Sequence, residues 1–262
     1  MRDDVRVDII TALRRIAEFE DRFARAQATE VVDLGWGHAL LQRDFPESWH
    51  HNRVIVTGAA DPAAVVEAAD AVLGGHGHTH RLVHFADEAQ GAAAREVFAA
   101  AGYGLHERIV TMIHSGVLPL RVGHAEAIPF DVLRPSLIHD WRTEFPDSDD
   151  SAIAQLADRT QLYPLGADVT FLGVRVGDDV VARGELYIRD GVAQFENIVT
   201  RREHRGEGHA RALVAEALHR SHEAGCDLWY LIAEATDWPR AWYRRMGYQD
   251  VAETHIYQRV PA

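Results

Sequence analysis

The feature that most constrains this chain is a glycine-containing loop that leads directly into an amphipathic helix. Residues 205–210 have the form R-x-x-G-x-A, and apolar residues recur from Ala210 at helical spacing. A loop of this kind presents backbone N–H groups at the positive end of a helix dipole, which is an arrangement that binds phosphate. Four arginines add positive charge around it: Arg201, Arg202, Arg205 and Arg211. The sequence therefore predicts a site for a phosphate or pyrophosphate.

The overall composition indicates a globular chain of one large or two ordinary domains. It has 262 residues, of which 47% are hydrophobic and 26% are charged. No apolar run approaches the roughly 20 residues that a membrane helix needs, and the charged N-terminus lacks the apolar core of a signal peptide. The single cysteine, Cys226, excludes an internal disulfide and fits a small buried residue in a reducing compartment. We therefore expect a cytoplasmic protein with no membrane partner.

The formal net charge of −13 narrows the class of partners. A nucleic-acid binder normally carries a basic patch or stripe, so no nucleic-acid partner is expected. The acidic balance is compatible with a cationic substrate such as an amine, although solubility alone also accounts for it.

Periodicity and turn residues predict alternating helices and strands in the first part of the chain. These are a helix over residues 5–27, strand material at 31–42 interrupted at 35–37, a strand at 54–56, a helix that begins at Asp61-Pro62, a strand at 81–85, a helix over 89–101 and a strand at 103–113. The Gly and Pro residues of 115–119 then mark a domain boundary, so we predict domains at 1–116 and 117–262.

The second part of the chain predicts a β-meander followed by the glycine-containing loop at 205–210, which is called the anion loop below. Its elements are a strand at 118–122, helices at 128–141 and 151–163, strands at 169–176, 180–188 and 192–200, the helix from 210, a strand at 228–233, a helix at 239–246 and a final strand pair at 248–260. Asp190-Gly191 is a strong hairpin signal, because the turn that suits strand twist needs positive φ.

The two parts of the chain contain a pair of similar segments. Residues 95–103 align with residues 240–248, with Arg, Gly and Tyr in register. The order of neighbouring elements also agrees, so we predict two tandem copies of one fold. The first copy lacks an R-x-x-G-x-A loop between Val56 and Ala71, and it has Phe98 where the second has Tyr243.

From Leu118 to Val260 the chain resembles the GNAT superfamily of acyl-CoA-dependent N-acyltransferases. The resemblance rests on the strand at 195–200, the loop at 205–210 and the segment from Trp238 to Tyr248. It implies an α/β fold with a mixed (α+β) sheet, built as two tandem GNAT-like domains that are each a mostly antiparallel, splayed sheet flanked by helices. Residues 1–116 would be a degenerate domain without a cofactor loop, and residues 117–262 the catalytic domain.

The resemblance also implies the co-substrate and its site. Acetyl-CoA, or another acyl-CoA, would lie in a V-shaped opening between the strands at 195–200 and 228–234. Its contacts are assigned to Ile198, Thr200, Arg205, Gly206, Glu207, Gly208, His209, Ala210, Arg211, Thr236, Trp238, Arg240 and Tyr243. Thr236 stands where many family members have an asparagine, and a hydroxyl supplies only one donor there.

The family pattern places a general acid at Tyr243, which would give a proton to the departing thiolate. Without the family match, Tyr243 would be interpreted as a helix-face aromatic like Trp242 beside it. For the general base, Glu196 is the first candidate and Glu234 the second, while a water relay with no dedicated base is the alternative. Glu185, on the meander, is weighed with them, and all three glutamates could instead be solvated strand-face charges.

These expectations combine into a function. The chain is predicted to be an N-acetyltransferase that moves an acetyl or other short acyl group to a primary amine, most simply of a small molecule, with a homodimer allowed as its assembly. The alternatives are a non-catalytic acyl-CoA-binding sensor and an acetyltransferase acting on a protein N-terminus or lysine. A Rossmann-type dinucleotide binder is excluded, because the glycine loop follows an antiparallel meander. No metal is expected: the histidines of His76–His80 fit a flexible polar turn better than a ligand set. Trp141, Phe145 and Tyr163 are candidates for an aromatic acceptor wall.

Overall fold

A computed structural model describes residues 8–114 and 117–260. Two compact units account for these residues. The first unit, which contains the anion loop, comprises the described residues of 8–23, 112–231 and 245–249, and the second comprises those of 24–111, 232–244 and 250–260. The N-terminal helix therefore groups with the later part of the chain, and most of the C-terminal strand with the earlier part. The division into homologous halves at residue 116 stays a prediction.

The described residues form eight α-helices and eleven strands. The elements up to residue 114 are α1 (Ile9–Gln27), β1 (Glu30–Asp33), β2 (Gly37–Leu41), β3 (Arg53–Val56), α2 (Pro62–Gly75), β4 (Arg81–Phe85), α3 (Glu88–Ala93), α4 (Arg95–Ala100) and β5 (Gly104–His114). Those that follow are β6 (Glu126–Ala127), α5 (Phe130–Glu144), α6 (Asp150–Asp158), β7 (Asp168–Val176), β8 (Asp179–Arg189), β9 (Val192–Thr200), α7 (His209–Glu223), β10 (Leu228–Glu234), α8 (Trp238–Arg245) and β11 (Tyr248–Arg259). The α/β class with a mixed sheet is confirmed.

In the first unit the strand order is β10-β9-β8-β7-β6. Strands β6 to β9 are antiparallel, whereas β10 runs parallel to β9. That parallel pairing ends at Tyr230 opposite Gln194, and β9 continues to Thr200 beyond it. Helix α7 packs on β7, β8 and β9 and buries Leu213, Val214 and Ala215. The later stretch of β9 is thus held from one side only by its sheet neighbours in this unit.

The β8–β9 hairpin forms as the sequence predicts. Asp190 and Gly191 have φ values of 50° and 76°. Both lie in the left-handed region that a type I′ turn requires, and few residues other than Asn, Asp and Gly enter it readily. This turn fixes the register of the two strands that lead to the anion loop.

In the second unit the strand order is β1-β2-β3-β4-β11-β5, with residues 104–111 of β5 in this unit. Strands β1 to β3 are antiparallel, β4 is parallel to β3, and β11 is antiparallel to β4. Phe85, Phe98 and Tyr257 form the aromatic centre of its core, and the Tyr257 hydroxyl donates to the Gly91 carbonyl at 2.7 Å. Each unit therefore contains a run of three antiparallel strands, β7 to β9 in the first and β1 to β3 in the second, followed by a helix and a strand parallel to the third, which agrees with two copies of one fold.

Several boundaries differ from the sequence-based expectations. Residues 118–122 do not form a strand, since Pro119 removes a ladder donor and Arg121 is held by Glu216 and Glu223 of α7. The final strand pair predicted at 248–260 is one continuous strand, β11, and its residues 255–259 pair with β4. The alanine-rich helix at 89–101 divides into α3 and α4 at Ala94, and the helix at 151–163 becomes a 3-10 helix from Arg159.

Among the residues that the structure describes, no helix combines the length and apolar character needed to cross a membrane.

The histidine tract at 76–80 is not wholly a flexible turn. His80 is 1% exposed, stacks on Trp49 with ring centroids 4.9 Å apart, and its Nε2 donates to the Asn52 carbonyl at 2.8 Å. Burial is the main reason that the pKa of His80 is lowered to about 4.

This burial predicts an acid-sensitive contribution to stability. Because the unfolded chain binds the proton more readily, the contribution is present above pH 6.5 and is lost as the pH falls toward 4. We expect the free energy of unfolding to drop by about 3 kcal/mol over this range for His80 alone. Urea titrations at a series of pH values should show a flatter profile for His80→Gln. The exposed-site control His106→Gln should keep the wild-type slope, and an unchanged slope in His80→Gln would contradict the assignment.

Candidate functional site

The anion loop has the geometry that its sequence predicts. After β9, the Arg201 N–H donates to the Val181 carbonyl at 2.9 Å, and a short 3-10 turn leads to Gly206 and Gly208. These glycines have φ values of 85° and 86°, and a side chain added at either would meet no atom within 4 Å. Gly208 is the N-cap of α7 and provides no side-chain hydrogen bond. The first-turn N–H groups of α7 therefore lie behind an open loop without a side-chain cap.

The loop contains both positively and negatively charged side chains. Arg202, Arg205 and Arg211 are exposed, and Arg205 Nε donates to the Thr200 carbonyl at 3.2 Å. The Glu207 carboxylate lies 3.1 Å from His209 Nε2. With no Ser, Thr, Asp or Asn at the N-cap, the first-turn N–H groups of α7 have no side-chain cap.

Three ligand atoms of the loop lie within 4.8 Å of one another, and they belong to His204, Glu207 and His209. Two imidazoles and a carboxylate are a donor set that suits a divalent transition-metal ion. Within the described residues this is the one group of three that meets that spacing, so the histidines of 76–80 are not brought together as ligands. The absence of a metal remains a prediction of the sequence.

A β-bulge interrupts β9 immediately before the loop. Arg183 pairs with Val199 and Glu185 with Glu196, so Gly184 alone faces the two residues Asn197 and Ile198. Asn197 has a φ of 53°, and its left-handed conformation is one of two at non-glycine residues in the described chain. The alternation of residues along β9 does not predict this bulge. The signal that the sequence offers is a lone asparagine in a strand otherwise rich in β-forming residues.

Of the predicted cofactor contacts on β9, Ile198 belongs to the bulge and Thr200 lies just beyond it. Ile198 and Thr200 are half-buried. The Thr200 Oγ1 atom is buried and has no hydrogen-bond partner among the described residues. A buried hydroxyl without a partner costs free energy, and a polar group of a bound ligand would remove that cost.

Glu196 and Glu185 occupy directly opposite positions on β9 and β8. Glu196 is half-buried and accepts from Gln194 Nε2 at 3.1 Å. Glu185 is 1% exposed and accepts from the Tyr187 hydroxyl. Burial, and next the charge of Glu185, raise the pKa of Tyr187 well above its usual range, so this phenol stays protonated. Of the two carboxylates, only Glu196 has access to solvent.

The other predicted site residues belong to the second unit. Tyr243 lies on α8, is 8% exposed, and its ring centroid is 5.1 Å from that of Trp242. Glu234 is exposed at the end of β10 and accepts from the Thr236 hydroxyl at 2.7 Å. A carboxylate at this position is accessible to water, as the second base candidate would need to be.

Trp238 and Arg240 have different environments on α8. Trp238 is 65% exposed. Arg240 donates to Asp250 from Nε at 2.7 Å and from Nη2 at 2.5 Å, and its Nη1 donates to the Ala235 carbonyl at 2.7 Å. Hydrogen bonds from Arg244 and Arg240 lower the pKa of Asp250. Arg240 therefore ties α8 to β11, and a cofactor contact would compete with this ion pair.

The three aromatic acceptor candidates do not form a single wall. Trp141 and Phe145 stack with centroids 5.9 Å apart, and the Arg159 guanidinium lies 4.9 Å from the Trp141 centroid. Tyr163 instead packs between Phe23 and Tyr187 in the interior of the first unit. Only the first pair presents surface to an incoming molecule.

Comparisons with known proteins agree with this geometry. Residues 131–248 match the family model described as the acetyltransferase (GNAT) family. A GCN5-related N-acetyltransferase from Kribbella flavida has a similar structure, with a TM-score of 0.68, 20% identity and 96% of each chain covered. A conserved protein of unknown function from Staphylococcus epidermidis ATCC 12228 gives a TM-score of 0.71 at 12% identity, over 93% of this chain and 98% of that one.

A third similar structure is a tandem GNAT protein from the clavulanic acid biosynthesis pathway, with a TM-score of 0.54, 14% identity, and 86% and 79% of the two chains covered. At these identities the structures show a shared fold. No curated protein matches the sequence significantly.

Proposed function

Because residues 131–248 match the model of the acetyltransferase (GNAT) family, we propose that this protein transfers an acetyl group from acetyl-CoA to the primary amine of a small molecule. The observation that carries the proposal is the open N-terminus of α7 behind Gly206 and Gly208, which has no side-chain cap. Pyrophosphate is the anion that coenzyme A would bring to such a site.

The described residues fit this co-substrate in three ways. The loop is open where a side chain would obstruct it, at Gly206 and Gly208. Pairing with β10 stops at Gln194, so the later part of β9 offers backbone groups that could pair with the pantetheine arm. The buried Thr200 hydroxyl has no hydrogen-bond partner among the described residues. The thioester that acetyl-CoA supplies is the electrophile of the reaction.

The reaction forms a C–N bond and breaks a C–S bond. The amine must be neutral to attack, so a base must first take a proton from the ammonium form. Half-buried Glu196 is our first candidate for this base and exposed Glu234 the second, each acting through water. The departing thiolate takes a proton from Tyr243, whose position in α8 matches the family pattern. As the C–S bond breaks, the nitrogen that has attacked loses its extra proton, which returns Tyr243 to its protonated form, so the net reaction releases only the proton that the base took from the ammonium.

Replacement of the two candidate bases tests their order. We expect Glu196→Gln to lower kcat/KM for the amine by about 10- to 100-fold, within the range of a positioned base. Glu234→Gln is the matched control and should lower it by less than about threefold. Initial rates with a fixed, saturating acetyl-CoA concentration measure both. The opposite ranking would exchange the two roles, and little change in either variant would favour a water relay.

Isothermal titration with acetyl-CoA followed by a thiol-release assay tests the function itself. A panel of primary amines and of peptides with a free N-terminus or lysine would be tried with acetyl-CoA and longer acyl-CoAs. Cys226 is 6% exposed, so the folded protein should add little thiol background.

We expect micromolar binding and turnover with a small amine. Binding without any turnover would support the sensor, turnover with peptides alone would support a protein acetyltransferase, and no binding would overturn the proposal.

A further inference from the structure

A buried carboxylate on β8 is hydrogen-bonded to the bulge residue of β9. The Glu185 carboxylate accepts from Asn197 Nδ2 at 2.5 Å. Arg183, on the same strand, donates from Nη1 to the Asn197 carbonyl at 3.3 Å. The side chain and the backbone of the bulge residue are therefore both anchored to β8. We propose that Glu185 is a positioning residue that fixes the bulge, and through it the coenzyme A-binding edge of β9; this inference rests on the proposed function.

Glu185 is not free to act as the base. It is 1% exposed, and its carboxylate also accepts from the Tyr187 hydroxyl and lies 3.9 Å from Arg183 Nη1. Arg183, which is 6% exposed, in turn donates to Asp140 of α5 at 2.8 Å. A buried carboxylate is costly unless it is hydrogen-bonded, and here the Asn197 amide and the Tyr187 hydroxyl both donate to it. Its location and partners assign it to support rather than to proton transfer.

The bulge residue needs such support. Asn197 has a φ of 53°, a conformation that costs an L-residue free energy although Asn tolerates it better than most. Asn197 is itself exposed, so packing contributes little to hold it. The hydrogen bond to Glu185 is the interaction that ties its side chain to a fixed element.

The bulge decides which face of the sheet Thr200 occupies. Glu196 shares a face with Glu185, and in a regular strand Thr200 would lie on that face too, since side chains alternate with a period of two. The extra residue shifts the register, so Thr200 pairs with Ala182 and lies on the opposite face. The same shift sets the start of the anion loop, where the Arg201 N–H meets the Val181 carbonyl. Loss of the bulge would therefore misplace both the strand edge and the loop entry.

The hydrogen bond between Asn197 and Glu185 is called the clamp below. Exchange of its donor and acceptor tests it with little change in side-chain size. Asn197→Asp puts a second carboxylate against Glu185 and should raise the Kd for acetyl-CoA about 10-fold or more, because the hydrogen bond becomes a repulsion. Glu185→Gln keeps an acceptor oxygen for Asn197 Nδ2 and is the single variant that the double-mutant comparison requires. The double variant, which combines Glu185→Gln with Asn197→Asp, restores a donor–acceptor pair, because the new amide on β8 can donate to the new carboxylate on β9. It should return Kd to within about threefold of wild type.

Two measurements on these variants separate the possible outcomes. Isothermal titration gives Kd, and amide hydrogen exchange of the peptide spanning residues 195–201 reports the bulge without any ligand; exchange should rise in Asn197→Asp and fall again in the double variant. If the wild-type protein binds acetyl-CoA and Asn197→Asp has the same Kd, the clamp is overturned. It is also overturned if the Kd of the double variant is no lower than that of Asn197→Asp. Failure of the wild-type protein to bind acetyl-CoA would overturn the proposed function, and the exchange pattern would still decide whether the clamp exists.

Discussion

Tyr243→Phe is expected to lower kcat by about 10²- to 10⁴-fold and to leave the Kd for acetyl-CoA within about twofold, the signature of a lost general acid. The substitution removes only the hydroxyl. Tyr243 is 8% exposed and packs against Trp242, and a phenyl ring preserves that packing. Without the phenol, the thiolate must leave unprotonated or take its proton from water. Single-turnover kinetics with a good amine substrate, beside titration of acetyl-CoA, would measure the two effects separately.

Tyr103→Phe is the matched control. Tyr103 is another buried tyrosine of the second unit, at 4% exposure, and its hydroxyl has no hydrogen-bond partner among the described residues. Burial raises the pKa of Tyr103 to about 12, so its phenol remains protonated and is not expected to exchange protons in the reaction. This variant should keep wild-type kcat. Full turnover in Tyr243→Phe as well would show that Tyr243 is a packing residue of α8 and would remove it from the mechanism.

Local chemistry in the sequence was enough to predict the elements that lead into the site. Asp190-Gly191 specifies a hairpin because both residues enter the left-handed region at low cost, and the structure has this hairpin. Gly206 and Gly208 specify an open loop for the same reason, and α7 follows at once. These features depend on the backbone preferences of a few adjacent residues, which are visible in any one chain.

Pairings between distant segments were not predictable in the same way. The C-terminal strand β11 pairs with β4, with His255 opposite Phe85, although about 170 residues separate them. An alternating pattern identifies a strand and the face that it buries, but it does not identify its neighbour. The expectation of a terminal strand pair was wrong for this reason.

The support of the bulge was invisible for a related reason. Glu185 was weighed as a base or as a solvated charge, whereas it is buried and bonded to Asn197. The interaction depends on a one-residue shift in the pairing of β8 with β9, and the register of two paired strands cannot be derived from one sequence. What the sequence could supply was the presence of Asn197 in a strand, a residue that is unfavourable there unless something holds it.

Gly208→Trp is expected to abolish detectable binding of acetyl-CoA, with a rise in Kd of at least about 100-fold. The free protein should accommodate the side chain, since a Cβ at Gly208 would meet no atom within 4 Å, and the positive φ of 86° adds a cost of about 1–2 kcal/mol to folding. The indole would then occupy the space in front of the α7 N-terminus that the pyrophosphate needs.

The control lies at the other end of the same helix. Gly225 follows α7, has a φ of 77° and is equally open, so Gly225→Trp carries the same backbone cost without approaching the loop. Isothermal titration of both variants, with thermal unfolding to confirm comparable stability, separates obstruction of the site from general strain. Gly225→Trp should bind as wild type does. Retained binding in Gly208→Trp would show that the pyrophosphate lies elsewhere, and the assignment of the loop from Arg205 to Ala210 would then fail whatever the outcome at Tyr243.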